Sequence, residues 1–155
     1  MKAVIQRVTR ASVTIDGAET RAIGPGLKVL LGVQDTDTLD ICEKLAAKVA
    51  GLRIFEDAQG KLNLSAEDKG YEALVVSNFT LYGDTKKGKR PSFIRAAKPP
   101  LSVDGYERFV ACLRGTGLRR VETGEFGADM QIELVNDGPV TIVIETDDWK
   151  AHPAE

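Results

Sequence analysis

At 155 residues, with 43% hydrophobic residues, 28% charged residues and a formal net charge of −2, the chain reads as one globular domain able to bury a core without disulfide or metal staples. The near-neutral balance gives no global argument for a nucleic-acid or membrane partner, and no apolar run approaches the roughly 20 residues of a membrane-spanning helix.

Taken in order, residues 2–8 and 11–16 alternate or run apolar and predict strands, with a turn at Asp16-Gly17. Arg7 and Arg10 arrive before any signal-peptide core could form, which points to a cytoplasmic protein. Gly24-Pro25-Gly26 opens Leu27–Val33, an apolar run expected as a strand buried on both faces. Asp37 or Thr38 can cap a helix carrying Leu39, Cys42, Leu45, Ala46 and Val49 on its buried face and ending near Gly51. A short hairpin follows at 53–64, and Ala73–Ser77 reads as another buried strand. The spacing of Val103, Tyr106, Phe109, Val110 and Leu113 predicts a second helix from about Ser102 to Gly115. Cys42 and Cys112 fall on the apolar faces of these helices and are expected as buried thiols, neither paired nor metal-bound.

The last run is the most regular. Met130, Ile132, Leu134 and Asn136 alternate on one side of Asp137-Gly138, and Val140, Ile142, Ile144 and Thr146 on the other, which predicts a hairpin turning at Asp137-Gly138. Pro139 does not suit that turn, because it has no N–H for the ladder and it constrains Gly138. Two readings stay open from the residues alone: an ordinary turn followed by an edge-strand Pro, or a cis peptide that swings the Gly138 carbonyl out of the ladder. Together these elements predict a mixed α/β domain over residues 1–146. Its sheet is mostly antiparallel, barrel-like or layered, with two main helices packed on it. A polar tail, 147–155, is expected to fray.

The only histidine, His152, lies in that tail, so a Ser-His-Asp or Cys-His mechanism has no credible base and zinc no plausible ligand set. Neither a metal nor a cofactor is expected. Catalysis would have to use backbone groups, hydroxyls or the substrate itself. Ser77-Asn78-Phe79-Thr80-Leu81 leaves the end of a buried strand, where N–H groups lose their ladder partners and can hold a developing oxyanion. Thr80 could be a nucleophile, but nothing near it in sequence would activate it; the whole segment also reads as a strand end that caps itself. Of the 21 basic residues, six fall in 86–98 with no acid among them, which leaves 15 against 23 acidic residues, a net of −8 elsewhere. Such a loop, holding Lys86, Lys87, Lys89, Arg90 and Arg95 beside Phe93, suits a phosphate backbone or is a solvated surface loop.

These residues together resemble the D-aminoacyl-tRNA deacylases. That family's signature Ser-Gln-Phe-Thr-Leu stands here as Ser77-Asn78-Phe79-Thr80-Leu81, and its Asn-X-Gly-Pro-X-Thr is matched in full by Asn136-Asp137-Gly138-Pro139-Val140-Thr141. Ile5–Val13, Arg53-Ile54-Phe55, Arg90-Pro91-Ser92-Phe93 and Phe126–Met130 are similar as well, so the resemblance runs from Met1 to about Glu145. It implies a homodimeric hydrolase, a cytoplasmic enzyme of translation quality control that cleaves the ester of D-aminoacyl-tRNA at the terminal adenosine, and glycyl-tRNA as a secondary substrate. It further implies a cis Gly138-Pro139 inserted into the other subunit's pocket, where its carbonyls exclude an L side chain. Asn136 belongs to that motif, and Arg7 is expected to brace it from the facing subunit. Phe126 and Met130 are expected to flank the adenine, and the Phe79 and Thr80 N–H groups to polarise the ester. Asn78 departs from the family's Gln, one methylene shorter. The competing expectations are a catalytically silent relative that only binds tRNA acceptor ends, and a relative with altered stereochemistry.

Overall fold

In a computed structural model, which describes residues 1–151, a long strand β1 (Lys2–Ile15) organises a six-stranded sheet. Its first half pairs antiparallel with β3 (Gly26–Gly32), and its second half with β2 (Glu19–Ile23), on the same edge. From β3 the sheet continues in parallel through β6 (Glu72–Ser77) to β7 (Arg120–Thr123). The other edge of β1 carries β8 (Met130–Glu145) along its whole length. A separate two-stranded ribbon, β4 (Phe55–Glu56) with β5 (Leu62–Leu64), fulfils the expected short hairpin.

Side chains bring β2 and β7 together where the backbone ladder does not, so the sheet is nearly closed. Arg21 donates to the Thr123 carbonyl at 2.9 Å, and Arg120 to the Ala22 carbonyl at 2.8 Å. Glu72, almost fully buried, anchors the same seam through the Gly24 N–H, Arg120 and Arg119. Burial alone would raise its carboxyl; these donors outweigh that and hold it below the ordinary glutamate range. At the head of the parallel pair β3 comes very close to β6: a Cβ on Gly26 would stand 1.8 Å from the Glu72 carbonyl oxygen, so only glycine fits there.

Helices α1 (Leu39–Gly51) and α3 (Leu101–Arg114) cover one face of the sheet, and their amphipathic spacing does what the sequence predicts. Cys42, Leu45, Ala46 and Val49 of α1 meet Phe109 and Leu113 of α3 over Ala3, Ile5, Leu27, Val29 and Val75. Removing the fully buried Phe109 side chain would cost about 3–5 kcal/mol. The opposite sheet face forms the barrel interior around Val8, Ala11, Val13, Ile15, Leu74 and Val76. Two further helices are short, α2 (Ala66–Lys69) and α4 (Asp148–Ala151).

Several expectations need correction. Leu39 is exposed rather than buried, and Cys112 is half-buried, while Cys42 is fully buried. Thr38 occupies the N-cap of α1 without a side-chain bond, and Asp37 is engaged elsewhere: it accepts from the Met1 ammonium and the Gln34 N–H, both at 2.7 Å. The largest correction concerns β8. The chain does not reverse at Asp137-Gly138; both flanks pair with β1, Gln6 opposite Thr141 and Val8 opposite Asn136. Arg7 alone on β1 thus stands opposite the whole 137–140 stretch of β8, and the extra residues bulge outward. Residues 147–151 are held by Trp149, packed on the main core, and by Asp147, which accepts from Gln34. His152 lies outside the described residues.

Candidate active site

β6 delivers the first set of candidate residues. Its ladder runs one residue past the strand, where the Asn78 N–H donates to the Leu31 carbonyl at 2.8 Å, and the chain then tightens into a 3-10 turn, Phe79–Tyr82. Asn78 caps that turn: its Oδ1 accepts from the Thr80 N–H at 3.3 Å and from the Thr80 hydroxyl. The side-chain oxygen therefore ties the loop together. The Thr80 N–H, expected as an oxyanion donor, is partly occupied, whereas no acceptor within the described chain takes the Phe79 N–H.

Beside this turn lies a cleft of about 390 Å³, lined by Ser77, Asn78 and Phe79 from one side and by the 126–130 segment and Ile132 from the other. Leu30 and Val76 form its floor. Leu30 is the one half-buried side chain within β3, which the sequence presents as uniformly buried. The Asp16 N–H holds the Asp129 carbonyl at 2.8 Å and pins the 126–130 segment to the turn after β1. Gly124 leaves room for Met130, since a Cβ there would come within 2.4 Å of its Sδ. Ser77, Asn78, Phe79, Phe126 and Met130 are thus brought together; Thr80 sits on the same turn, exposed, outside the cleft lining.

The 136–141 motif is built separately. Asn136 closes the base of the bulge with both ends of its amide: Nδ2 donates to the Thr141 hydroxyl at 2.9 Å, and Oδ1 accepts from the Val140 N–H at 3.0 Å. Asp137, Gly138 and Pro139 project as an exposed knuckle, and the Gly138–Pro139 peptide is cis. Gly138 has φ 137°, and a Cβ there would meet the Val140 amide nitrogen at 2.9 Å, so the motif requires glycine. Within its own chain Arg7 braces the knuckle, donating to the Asp137 carbonyl from Nε and to the Ile54 carbonyl from Nη1, both at 2.9 Å. No residue of the motif lines the cleft. Ile132 and Gly138 lie six residue steps apart along the strand, roughly 20 Å at about 3.3 Å per residue.

The basic segment leaves the 3-10 turn directly. Asp84 and Ser92 exchange two backbone hydrogen bonds, at 2.7 and 2.8 Å, and so close a loop on which Lys86, Lys87, Lys89 and Arg90 are all exposed. Phe93 packs edge-on against Phe79, with ring centroids 5.2 Å apart, and so joins this loop to the cleft. Arg95 is tied back instead, hydrogen-bonded to the Gln34 side chain, 3.5 Å from the Asp147 carboxylate, and stacked over Tyr82.

The sequence profile described as D-Tyr-tRNA(Tyr) deacylase matches residues 4–145. A D-aminoacyl-tRNA deacylase of Koribacter versatilis is 57% identical over 146 residues, covering 94% of this chain and 97% of that protein. A protein of the same name from Thermotoga petrophila is 56% identical over 146 residues, with the same 94% and 97% coverage. Among solved structures, one described as c-Myc DNA Unwinding Element Binding Protein superposes with a TM-score of 0.87 at 44% identity, covering 99% of this chain and 100% of that one. Another, described as a probable eukaryotic D-amino acid tRNA deacylase, shares the fold with a TM-score of 0.82 at 15% identity, over 92% of this chain and 97% of that one.

Proposed function

The chain belongs to the D-aminoacyl-tRNA deacylase family, and from that membership we propose how its cleft hydrolyses the ester of a D-aminoacyl-tRNA. The observation that carries the reading is the Phe79 N–H, left without an acceptor on a turn that borders an open cleft. Water adds to the ester carbonyl, and the oxyanion that develops is stabilised by this donor, aligned in advance by the Asn78–Thr80 cap. Collapse breaks the bond to the ribose oxygen and releases the free D-amino acid and the tRNA. An aminoacyl ester is already activated, so orientation and one or two backbone donors suffice without a side-chain base.

Chiral selection in this reading comes from a second copy of the chain. No residue of the Gly138–Pro139 knuckle lines its own cleft, and β8 pairs only with β1, which leaves its outer edge and the apolar Val135 and Val143 exposed. In a homodimer the knuckle completes the partner's cleft and presents the Gly138 and Pro139 carbonyls to the substrate Cα. These exclude an L side chain and admit a D-substituent or glycine, so glycyl-tRNA is a secondary substrate. Phe126 and Met130 hold the terminal adenine, and the loop carrying Lys86, Lys87, Lys89 and Arg90 follows the phosphate backbone in the cytoplasm.

Single-turnover hydrolysis of D-tyrosyl-, L-tyrosyl- and glycyl-tRNA tests this. Rapid clearance of the D- and glycyl-esters with the L-ester spared is expected. Tight tRNA binding without hydrolysis of any ester would make the chain a silent binding module, and equal clearance of both hands would remove the knuckle from chiral selection.

A further inference from the structure

The cleft has a side chamber of about 180 Å³, separated from it by the residues that border both, Ser77, Phe79 and Phe126. Val33, Ala97, Lys98 and Pro99 complete the walls, which are mostly apolar. Into this space α3 places Ser102, only 7% exposed, and its hydroxyl is the single buried side-chain nitrogen or oxygen among the described residues with no hydrogen-bond partner. The position gains nothing from serine as structure. The Ser102 backbone N–H is already satisfied by the Lys98 carbonyl at 3.2 Å, and alanine would be the better helix former with no polar atom to bury.

An unpaired hydroxyl in an apolar slot beside a ligand cleft marks where a ligand atom pairs. The walls decide which kind. Phe79 and Phe126 supply aromatic surface for a flat ring, while a ribose would bring more hydroxyls than the slot could pair, and a phosphate would find Lys98 alone among mostly apolar walls. At about 180 Å³ the slot admits one edge of a base whose face rests on Phe126.

We propose that Ser102 is a further specificity-determining residue of this site, its hydroxyl hydrogen-bonding the edge of the tRNA's terminal adenine. The inference rests on the deacylase reading above, since that reading seats the adenine against Phe126. Ser102 contacts the base and takes no part in ester cleavage.

The test uses a non-hydrolysable D-tyrosyl-3′-amido-adenosine and its 1-deaza, 3-deaza and 7-deaza counterparts, with the dissociation constant read for the wild type and Ser102→Ala. Wild type should bind one deaza analogue about five- to tenfold more weakly than the adenine compound, the ordinary loss for one hydrogen bond. Ser102→Ala should bind the adenine compound that much more weakly and no longer distinguish it from that analogue. The melting temperature of the free variant should stay the same or rise, which a purely structural role would not combine with weaker binding. An unchanged constant for every analogue in Ser102→Ala overturns the proposal. Deacylation of D-tyrosyl-tRNA is measured in parallel. Binding without hydrolysis sinks the deacylase reading but leaves the Ser102 comparison intact, and absence of binding overturns both.

Discussion

Arg7 reaches from the middle of β1 to the carbonyl of Asp137, one residue before the exposed Gly138–Pro139 knuckle, while its second donor holds the carbonyl of Ile54 beyond the end of α1. The side chain is almost fully buried, and it lies where the β1–β8 register slips. Asn136 closes the base of this bulge, and Arg7 adds a hold nearer its tip. The guanidinium fixes it against a second element with a rigid fork that lysine lacks.

Arg7→Lys should therefore fold and lose selectivity. Losing one charge-assisted hydrogen bond costs about 1.5–3 kcal/mol, and the expected outcome is a fall in kcat/KM for D-tyrosyl-tRNA of roughly 10- to 100-fold with L-tyrosyl-tRNA hydrolysed relatively faster. Urea unfolding would show a loss of the same size, about 1.5–3 kcal/mol. A variant as selective as the parent would mean that the knuckle holds its place without Arg7.

The roles of Asn78 and Thr80 separate in the same way. The Thr80 hydroxyl donates to Asn78, and no base within the described chain stands ready to activate it as a nucleophile. Thr80→Val should keep single-turnover rates within about threefold, whereas Asn78→Ala removes the cap of the turn, costs about 1 kcal/mol of stability, and should slow turnover by about tenfold or more. A loss of about 100-fold or more in Thr80→Val would return the hydroxyl to the mechanism.

Much of this arrangement was legible in the residues, and the failures have physical causes. α1 and α3 announce themselves because each buries a stripe at helical spacing. The alternation of β8 is equally clear, yet periodicity reports which side chains share a face and not which strand they pair with. Two runs on the same edge of β1 carry the same signature as the arms of a hairpin. β7 escapes because Arg120-Val121-Glu122-Thr123 offers one fully buried apolar residue in a four-residue strand. α2 did have a signal, the Ser65 and Asp68 capping box closed by Gly70 at φ 60°. Ser102 had none, since a serine near a helix start reads as a cap. Only the position of its hydroxyl in the folded chain shows otherwise.

Lys28 tests the barrel interior. It lies on β3 between Gln6 and Leu74 and shares a strand face with Leu30; it is 4% exposed, and no carboxylate among the described residues forms an ion pair with it. Burial pushes its pKa below the ordinary lysine value. Below the folded-state pKa both states carry the proton, and the cost of a buried charge is present in full. As pH rises from there towards the unfolded value of about 10.4, the folded state sheds its proton first and that cost fades, so this group makes stability increase with pH in the alkaline window. Lys28→Leu should be more stable than the parent at pH 7 by about 1–2 kcal/mol, and its advantage should shrink as pH rises. Urea titrations at pH 7 and at a higher pH measure both; an advantage that grows with pH would sink the assignment.

The basic loop is a set of unpaired charges with one exception, and salt distinguishes the two kinds. Lys86, Lys87 and Lys89 are exposed and form no ion pair among the described residues, so each is available to displace a counterion from a phosphate. Arg95 spends its guanidinium on Gln34, Asp147 and the Tyr82 ring, which ties the end of the loop to the body of the domain. Replacing the three lysines by alanine should raise the KM for D-tyrosyl-tRNA with little change in kcat. It should also flatten the slope of log K against log salt by about 0.7 for each phosphate that is no longer neutralised, the value for single strands. Arg95→Ala should leave that slope near the wild-type value and instead lower the melting temperature, because its partners are within the chain. Titrating tRNA affinity across a range of salt concentrations for both variants decides the matter. If the Arg95 variant flattens the slope as much as the triple lysine variant, the guanidinium leaves Gln34 and Asp147 to meet a phosphate when the tRNA binds.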